Sequence, residues 1–141
     1  MTLKKKILFV CTGNSCRSQI AHGLLNNIAG DRFEVFSAGL SPNKVHPMAI
    51  EVMKEIDIDI SHHTSDHLDD YLDKDIDVVI TTCDDANESC PFFPGNVMRL
   101  HWSIDDPFES WNKEDSNIQL FRDTRNKIKE RMRSFLLSNE I

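Results

Sequence analysis

The sequence predicts a single α/β domain in which a central four-stranded parallel sheet carries helices on both faces. Short apolar or β-branched runs alternate along the chain with stretches of helical periodicity, as in βαβ units. The 141 residues are 40% hydrophobic and 28% charged, which is typical of a globular protein with one buried core. No repeat or linker divides the chain, so residues 1–141 are expected to form one domain.

The first half of the chain predicts two strands and two helices. Apolar and alternating runs predict strands at residues 5–10 and 32–37. Between them, residues 19–29 have helical periodicity, with Gly30 at the C-terminal position. The predicted inward residues of that helix are Ile20, Ala21, Leu24, Leu25 and Ile28. A second helix is predicted to begin near His46-Pro47, because proline suits a first turn. Its predicted inward residues are Ala49, Val52, Met53 and Ile56.

The second half of the chain predicts the other two strands of the sheet and two further helices. Residues 65–72 favour a shorter helix, and residues 77–82 and 97–102 predict strands. Residues 118–137 predict a long closing helix. Its predicted inner face consists of Phe121, Ile128, Met132 and Phe135.

Net charge and cysteine content limit the partners, the location and the thiol chemistry that we expect of the protein. The net charge of −7 disfavours nucleic acid as a partner and gives no general attraction to anionic membranes. The apolar run at residues 7–11 is too short for a signal peptide or a membrane span, so a cytoplasmic location is expected. In a reducing compartment, four cysteines predict catalytic, redox or metal-binding thiols ahead of structural disulfides. The histidines and acidic residues at 62–77 predict a solvated face, and no metal site is assigned.

Residues 11–18, Cys-Thr-Gly-Asn-Ser-Cys-Arg-Ser, predict a cradle for a tetrahedral oxyanion. The segment follows a strand and precedes a helix, so backbone N–H groups and the positive end of the helix can face an anion. The predicted binding residues are Thr12, Gly13, Asn14, Ser15, Cys16, Arg17 and Ser18. Cys16 is expected to fill the interior of the loop, with a protective bond to Cys11 as the alternative. The competing interpretation makes Cys11 a small hydrophobic residue and Arg17 a surface side chain.

Three side chains of this region suit nucleophilic catalysis. Cys11 is the candidate nucleophile, because backbone dipoles and a guanidinium favour its thiolate. Arg17 can stabilise that thiolate and hold oxyanion oxygens bidentately, while Ser18 can donate to the sulfur. Asp106, before Pro107, is the candidate general acid, although Asp-Asp-Pro is also ordinary turn chemistry. Parallel strands present their carboxyl ends at one edge of the sheet. If Asp106 and Cys11 follow parallel strands of one sheet, they lie at the same edge, and the general-acid interpretation is favoured over the ordinary turn.

Cys83 and Cys90 follow the third predicted strand and allow several interpretations. Seven residues of continuous helix separate Cα atoms by about 10 Å, whereas a disulfide needs roughly 4.4–6.8 Å. A bond between the two therefore requires the segment to loop or unwind. A metal site is disfavoured because no CxxC motif is present. Two unrelated thiols are the remaining alternative.

Together these motifs resemble a known family. The cradle, Ser-Ala-Gly at 37–39 and Ile-Asp-Ile-Ser at 58–61 resemble the low-molecular-weight tyrosine phosphatase fold. His-His-Thr-Ser-Asp at 62–66, the Cys83/Cys90 pair and His-Trp-Ser-Ile-Asp-Asp-Pro at 101–107 resemble the thioredoxin-coupled arsenate reductases built on that fold. The resemblance covers nearly the whole chain, and the cysteine pair is its most specific mark.

The resemblance implies a cysteine relay for arsenic detoxification. Cys11 would attack arsenate in the cradle, with Asp106 protonating the departing oxygen. Cys83 would attack the Cys11–arsenic adduct, releasing arsenite and leaving a Cys11–Cys83 disulfide. Cys90 would then attack Cys83, and thioredoxin would reduce the resulting Cys83–Cys90 disulfide. Arsenate is thus the expected substrate, thioredoxin the expected reductant, and a monomer the expected state.

Two positions depart from the family pattern. Some members bind a potassium ion near the cradle, and Asn14, Ser37 and Asp66 match its ligands, but His22 stands in place of the family's glutamate. No tightly bound cofactor is expected, and this ion is the one candidate. Phe108 replaces a small residue of the reductases and resembles the aromatic residue that lines phosphatase clefts.

Two other functions compete with the reductase. A tyrosine or small-molecule phosphatase would need Cys11, Arg17 and Asp106 and leave Cys83 and Cys90 incidental. A non-catalytic anion or redox sensor would use the same cradle and thiols for binding alone. Arsenate-dependent oxidation of thioredoxin discriminates among the three.

Overall fold

The computed structural model describes residues 4–89 and 93–138, and its four strands form one parallel sheet. The strands are β1 (Lys5–Cys11), β2 (Phe33–Gly39), β3 (Val78–Thr81) and β4 (Met98–His101). They lie in the order β2-β1-β3-β4, and in the register of the sheet Ile7 pairs with Val35 on one side and Val78 on the other. The predicted parallel α/β fold is confirmed.

Helices cover both faces of the sheet. These are α1 (Arg17–Ala29), α2 (Pro47–Lys54), α3 (Asp84–Ser89) and α4 (Ile118–Leu137), with 3₁₀ turns at Leu68–Tyr71 and Lys113–Asp115. The helix predicted over residues 65–72 is only the first of these turns, whose N-terminus is capped by the side chain of His67. The sequence pattern did not predict α3, because its six residues are almost all polar and lack an apolar period. Among the helices of residues 4–89 and 93–138, none is long and apolar enough to cross a membrane.

The core consists of two layers separated by β1. Ile7 and Phe9 face a cluster that includes α1, α2 and α4, while Leu8 and Val10 face a smaller cluster with α3. All four side chains are fully buried, so β1 has no polar face. Ile28, predicted to face inward, is instead 49% exposed. In the last turn of α1 the buried position belongs to Ala29, because successive helical residues are rotated by about 100°.

The strand order places the predicted anion cradle at the carboxyl edge of the sheet. From β1 the chain passes to β2 on one side, and β3 pairs with β1 on the other, which makes the carboxyl end of β1 a switch point. Gly39 ends β2 directly opposite Cys11. A Cβ atom on Gly39 would lie 2.7 Å from the Thr12 carbonyl oxygen and 2.8 Å from the Asn14 nitrogen. The cradle backbone therefore lies where a side chain at position 39 would be.

We expect Gly39→Ala to lower the free energy of unfolding by about 1–3 kcal/mol, because the methyl group meets backbone atoms that cannot rotate away. Urea unfolding of this variant and of the unsubstituted protein measures the difference. An unchanged unfolding midpoint in Gly39→Ala would contradict this explanation.

Candidate active site

The loop from Thr12 to Cys16 is held by hydrogen bonds that its carbonyl groups accept from outside. The backbone N–H groups of Ser41, Asn43 and His46 donate to the carbonyl oxygens of Thr12, Gly13 and Ser15 at 2.8, 3.0 and 3.0 Å. The Asn14 carbonyl accepts from the side chains of Gln19 and Ser65 at 3.0 and 2.7 Å. The Cys16 carbonyl accepts from the backbone N–H of Ile20 in α1 at 2.9 Å.

This outward orientation of the carbonyls decides where the amides point. In a trans peptide the C=O and the following N–H point in opposite directions, so the N–H groups of residues 13–16 are directed away from these partners and toward the cavity. Asn14 has a φ of 50°, a left-handed conformation that asparagine tolerates better than most residues. The loop thereby becomes the predicted concave site for an anion, followed directly by the N-terminus of α1.

Ser18 connects the predicted nucleophile to the loop. The Asn14 amide donates to Ser18 Oγ at 2.8 Å, and Ser18 Oγ lies 2.9 Å from Cys11 Sγ. Because the hydroxyl accepts from Asn14, its own hydrogen is available for the sulfur. Cys11 is 2% exposed and Ser18 is fully buried. Ser18 thus connects the Asn14 amide to the predicted nucleophilic sulfur through a chain of hydrogen bonds.

Arg17 and Asp106 meet over the cradle, as strand order requires. Arg17 is 8% exposed and donates to the Ile104 carbonyl at 3.0 Å. Its other terminal nitrogen lies 3.5 Å from Asp106 Oδ2, while the backbone N–H of Phe108 donates to Asp106 Oδ1 at 3.0 Å. Asp106 is more than half exposed, so a proton can reach it from solvent.

The structure adds walls that the sequence pattern did not assign. A cavity of about 300 Å³ opens above the cradle. Phe108 lines it together with the predicted cradle residues and Asp106, as the family resemblance implied, and the unassigned lining residues are Ser41, Asn43 and Trp111. The rings of Phe108 and Trp111 pack edge to face at 5.0 Å. An aromatic residue three positions after Phe108 was a signal in the sequence, but only the loop conformation brings it to the cavity.

Cys83 lies beside the cradle and directly precedes α3. Its Sγ is 3.3 Å from the hydroxyl of Thr12 and accepts from the backbone N–H of Ala86 at 3.3 Å. The side chain is 5% exposed and belongs to the same buried cluster as Cys11. Cys11, Cys16 and Cys83 are free thiols. Thr12, predicted only as a binding residue, thus connects the two sulfur sites. Cys90 lies outside the described residues.

Strand β4 holds α3 in place. The guanidinium of Arg99 donates to the backbone carbonyl of Asn87, and His101 Nε2 lies 3.0 Å from Asp84 Oδ1. The helical partner of the Asn87 carbonyl would be the N–H of residue 91, which is proline and has none. Arg99 therefore supplies a hydrogen bond that the helix cannot make for itself.

Cys16 differs chemically from Cys11 although both belong to the cradle. Burial raises the pKa of the Cys16 thiol well above its usual range, and the charges of Cys11 and Asp106 raise it further. The guanidinium of Arg17 opposes this effect without cancelling it. Cys16 is therefore a neutral thiol at neutral pH, which suits a residue that fills the loop interior.

His22 occupies the region where the family resemblance implies a potassium ion. Its Nδ1 lies 2.9 Å from the hydroxyl of Ser37, and its ring centroid is 4.3 Å from that of His63. Burial, together with the nearby rings of His63 and His62, lowers the pKa of His22 to about 3. The side chain is thus a neutral imidazole at neutral pH and brings no negative charge to the site.

Asn14 and Asp66, two of the other implied potassium ligands, already accept hydrogen bonds from within the protein. Asn14 Oδ1 accepts from the backbone N–H of Asp66 at 2.9 Å. The carboxylate of Asp66 accepts from the hydroxyls of Thr64 and Tyr71, each at 3.0 Å. Hard cations prefer several free oxygen ligands. Without a carboxylate at position 22, these residues do not fit a potassium ion.

Comparisons with known proteins point to one family. Residues 6–141 match the family described as low molecular weight phosphotyrosine protein phosphatase. Arsenate reductase 2 of Staphylococcus saprophyticus is 47% identical over 133 residues, which are 94% of this chain and 96% of the relative. A solved arsenate reductase in a phosphate-binding state is 35% identical, with a TM-score of 0.75 over 94% of this chain and 96% of the other. A thioredoxin-dependent arsenate reductase of Corynebacterium glutamicum is 32% identical, with a TM-score of 0.72 over 98% of this chain and 65% of the other.

We expect the melting temperature to be the same in potassium and sodium chloride of equal ionic strength, because His22 offers no charge to a cation. His22→Glu places a carboxylate beside Ser37 and should make the melting temperature rise with potassium. His22→Gln, which has the same length but no charge, is the matched control and should not respond. A potassium-dependent rise of more than about 2 °C in the unsubstituted protein would contradict this prediction.

Proposed function

The chain belongs to the low-molecular-weight phosphotyrosine protein phosphatase family, and we propose that it is an arsenate reductase that uses a cysteine relay and is reduced by thioredoxin. The observation that carries the proposal is the position of Cys83, a buried free thiol 3.3 Å from the hydroxyl of a cradle residue, Thr12. A phosphatase needs one nucleophilic sulfur. A reductase needs a second sulfur that can reach the first.

In the first step Cys11 attacks arsenate held by the cradle. The inward amides and Arg17 balance the charge of the oxyanion, and the Ser18 hydroxyl stabilises the thiolate before attack. A sulfur–arsenic bond forms and one arsenic–oxygen bond breaks. Asp106 donates the proton that lets the departing oxygen leave as water. The arsenic is still pentavalent at this stage.

In the second step the electrons move. Cys83 attacks Cys11 Sγ, and the electron pair of the sulfur–arsenic bond stays on arsenic, which leaves as trivalent arsenite. A Cys11–Cys83 disulfide remains, so two thiolates have supplied the two electrons. The Thr12 hydroxyl and the Ala86 N–H both contact Cys83 Sγ and can stabilise it as a thiolate.

In the third step Cys90 attacks Cys83, which frees Cys11 and forms a Cys83–Cys90 disulfide. Residue 83 directly precedes the helix α3. Seven residues of continuous helix separate Cα atoms by about 10 Å, which is more than a disulfide can span. We propose that α3 unwinds as this disulfide forms. A six-residue helix is marginal by itself, so its opening is inexpensive. Unwinding would expose the disulfide to the thioredoxin dithiol.

The proposed location, oligomeric state, substrate and reductant follow from this chemistry. The relay needs reduced thiols at the start of every cycle, which supports a location in the reducing cytoplasm. All three proposed cysteines belong to one chain of residues 1–141, so a monomer suffices. Arsenate is the proposed substrate and thioredoxin the proposed reductant.

A second activity, hydrolysis of aryl phosphates, is supported by the aromatic wall of the cavity. Phosphate has the same tetrahedral shape as arsenate, and Phe108 and Trp111 offer apolar rings to a substrate ring. Phe108 is 38% exposed, so an aromatic ligand can cover it. Cys11, Arg17 and Asp106 suffice for this reaction.

We expect Cys83→Ser to lower steady-state arsenate reduction at least about a hundredfold, because the adduct on Cys11 then has no intramolecular sulfur to release arsenite. Cys90→Ser is the matched variant. It should release one arsenite per protein and then stop as a Cys11–Cys83 disulfide, which peptide mass spectrometry can identify. Steady-state reduction with thioredoxin by either variant at the unsubstituted rate would refute the relay.

We expect Phe108→Ala to lower kcat/KM for 4-nitrophenyl phosphate about tenfold, the equivalent of about 1.4 kcal/mol of ring packing. The loss for arsenate, which has no ring, should be smaller. Steady-state assays with both substrates measure the ratio. Equal losses for the two substrates would show that the aromatic wall does not select for aryl groups.

A further inference from the structure

His46 is a fully buried histidine that the proposed chemistry does not use. It precedes α2, where its Nδ1 accepts from the backbone N–H of Met48 at 3.0 Å. Its Nε2 lies 2.7 Å from the carbonyl oxygen of Ser110, sixty-four residues further along the chain. Because Nδ1 accepts, the proton of the neutral ring must be on Nε2, which donates to Ser110. Burial lowers the pKa of His46, which keeps the ring neutral.

The ring of His46 also packs against the loop that follows Asp106. It stacks on Trp111 with centroids 5.3 Å apart and meets the edge of Phe108 at 5.6 Å. On the core side it contacts the fully buried Phe121 of α4 at 4.8 Å. The loop is thus anchored through His46 to the rigid interior.

Asp106 depends on that loop for its position. One carboxylate oxygen accepts from the Phe108 N–H, and the other faces Arg17. The side chain is more than half exposed, so surrounding protein does little else to fix it. The location of the Phe108 backbone therefore sets the location of the carboxyl group.

The backbone of His46 is attached to the opposite side of the site. Its N–H donates to the Ser15 carbonyl at 3.0 Å, one of the bonds that turn the cradle amides inward. A single residue thereby joins the anion cradle and the loop that carries the carboxyl group.

We propose that His46 is a positioning residue that fixes Asp106 relative to the cradle through its Nε2–Ser110 hydrogen bond and its packing on Phe108 and Trp111. The inference rests on the proposed function in that Asp106 acts there as the general acid. General-acid catalysis is sensitive to distance, and a displacement of about 1 Å can cost two orders of magnitude. His46 contacts neither the nucleophile nor the predicted anion position, so its effect falls on kcat.

His46→Asn separates this role from a structural one. Asparagine can still cap α2 and keeps the backbone bond to Ser15, but it cannot reach Ser110 and has no ring. His46→Ala removes the cap as well and serves as the stability control. We expect His46→Asn to lower kcat for arsenate about tenfold with KM changed less than about twofold, and to lose less stability than His46→Ala.

A double-mutant cycle with Asp106→Asn shows whether the loss of kcat in His46→Asn depends on Asp106. If His46 acts through Asp106, then His46→Asn should lower kcat by less than about twofold once the carboxyl group is absent. A full tenfold loss in the Asp106→Asn background would overturn the proposal, as would unchanged kcat in His46→Asn alone. Long-range ¹H–¹⁵N spectra of the unsubstituted protein provide a test that needs no variant, because a ring protonated on Nδ1 at neutral pH would exclude the Ser110 bond.

The same cycle distinguishes failure of this inference from failure of the proposed function. If the unsubstituted protein does not oxidise thioredoxin with arsenate, the reductase proposal fails. The cycle can then be measured with phenyl phosphate, whose basic phenolate leaving group needs the proton of a general acid. A loss in His46→Asn that disappears in the Asp106→Asn background would support the positioning role for that substrate, and an undiminished loss would overturn it.

Discussion

The carbonyl groups of residues 12–15 must all find hydrogen-bond donors outside the loop, and the rest of the site depends on this requirement. A buried carbonyl without a donor costs stability, and a carbonyl turned inward would repel an anion. Four carbonyls are satisfied by the segment after β2, by Gln19 and by Ser65. Only with those bonds in place can the amides face the cavity. The segment that follows β2 therefore shapes the predicted anion site through these backbone hydrogen bonds.

The parallel sheet explains how distant residues share one small cavity. The carboxyl ends of β1, β3 and β4 lie at one edge, so the segments that begin with Cys11, Cys83 and Asp105 emerge side by side. Thr12 connects the first two through its hydroxyl. A phosphatase-like cradle can thus acquire a second sulfur by a change in a neighbouring loop, without any change in the sheet. The proposed reductase chemistry is an addition to the fold and leaves its anion site intact.

Two histidines near the cradle show how one residue type can have different roles. The His22 ring contacts that of His63 in a tilted arrangement and stays neutral, so internal hydrogen bonds lie where the family resemblance implies a cation. His46 uses both ring nitrogens to join a helix N-terminus to a loop. In each case the partners of the ring, more than its intrinsic basicity, define what it does.

Local sequence determined the strands, the long helices and the cradle, because apolar periodicity and the order strand–loop–helix are properties of neighbouring residues. It also assigned Cys11, Arg17 and Asp106 to one site, since the end of a parallel strand has a known location. It did not predict α3, the exposure of Ile28, the Thr12–Cys83 contact or the His46–Ser110 bond. These depend on distances between residues remote in the chain. Strand order and core packing fix such distances, and no local propensity encodes them.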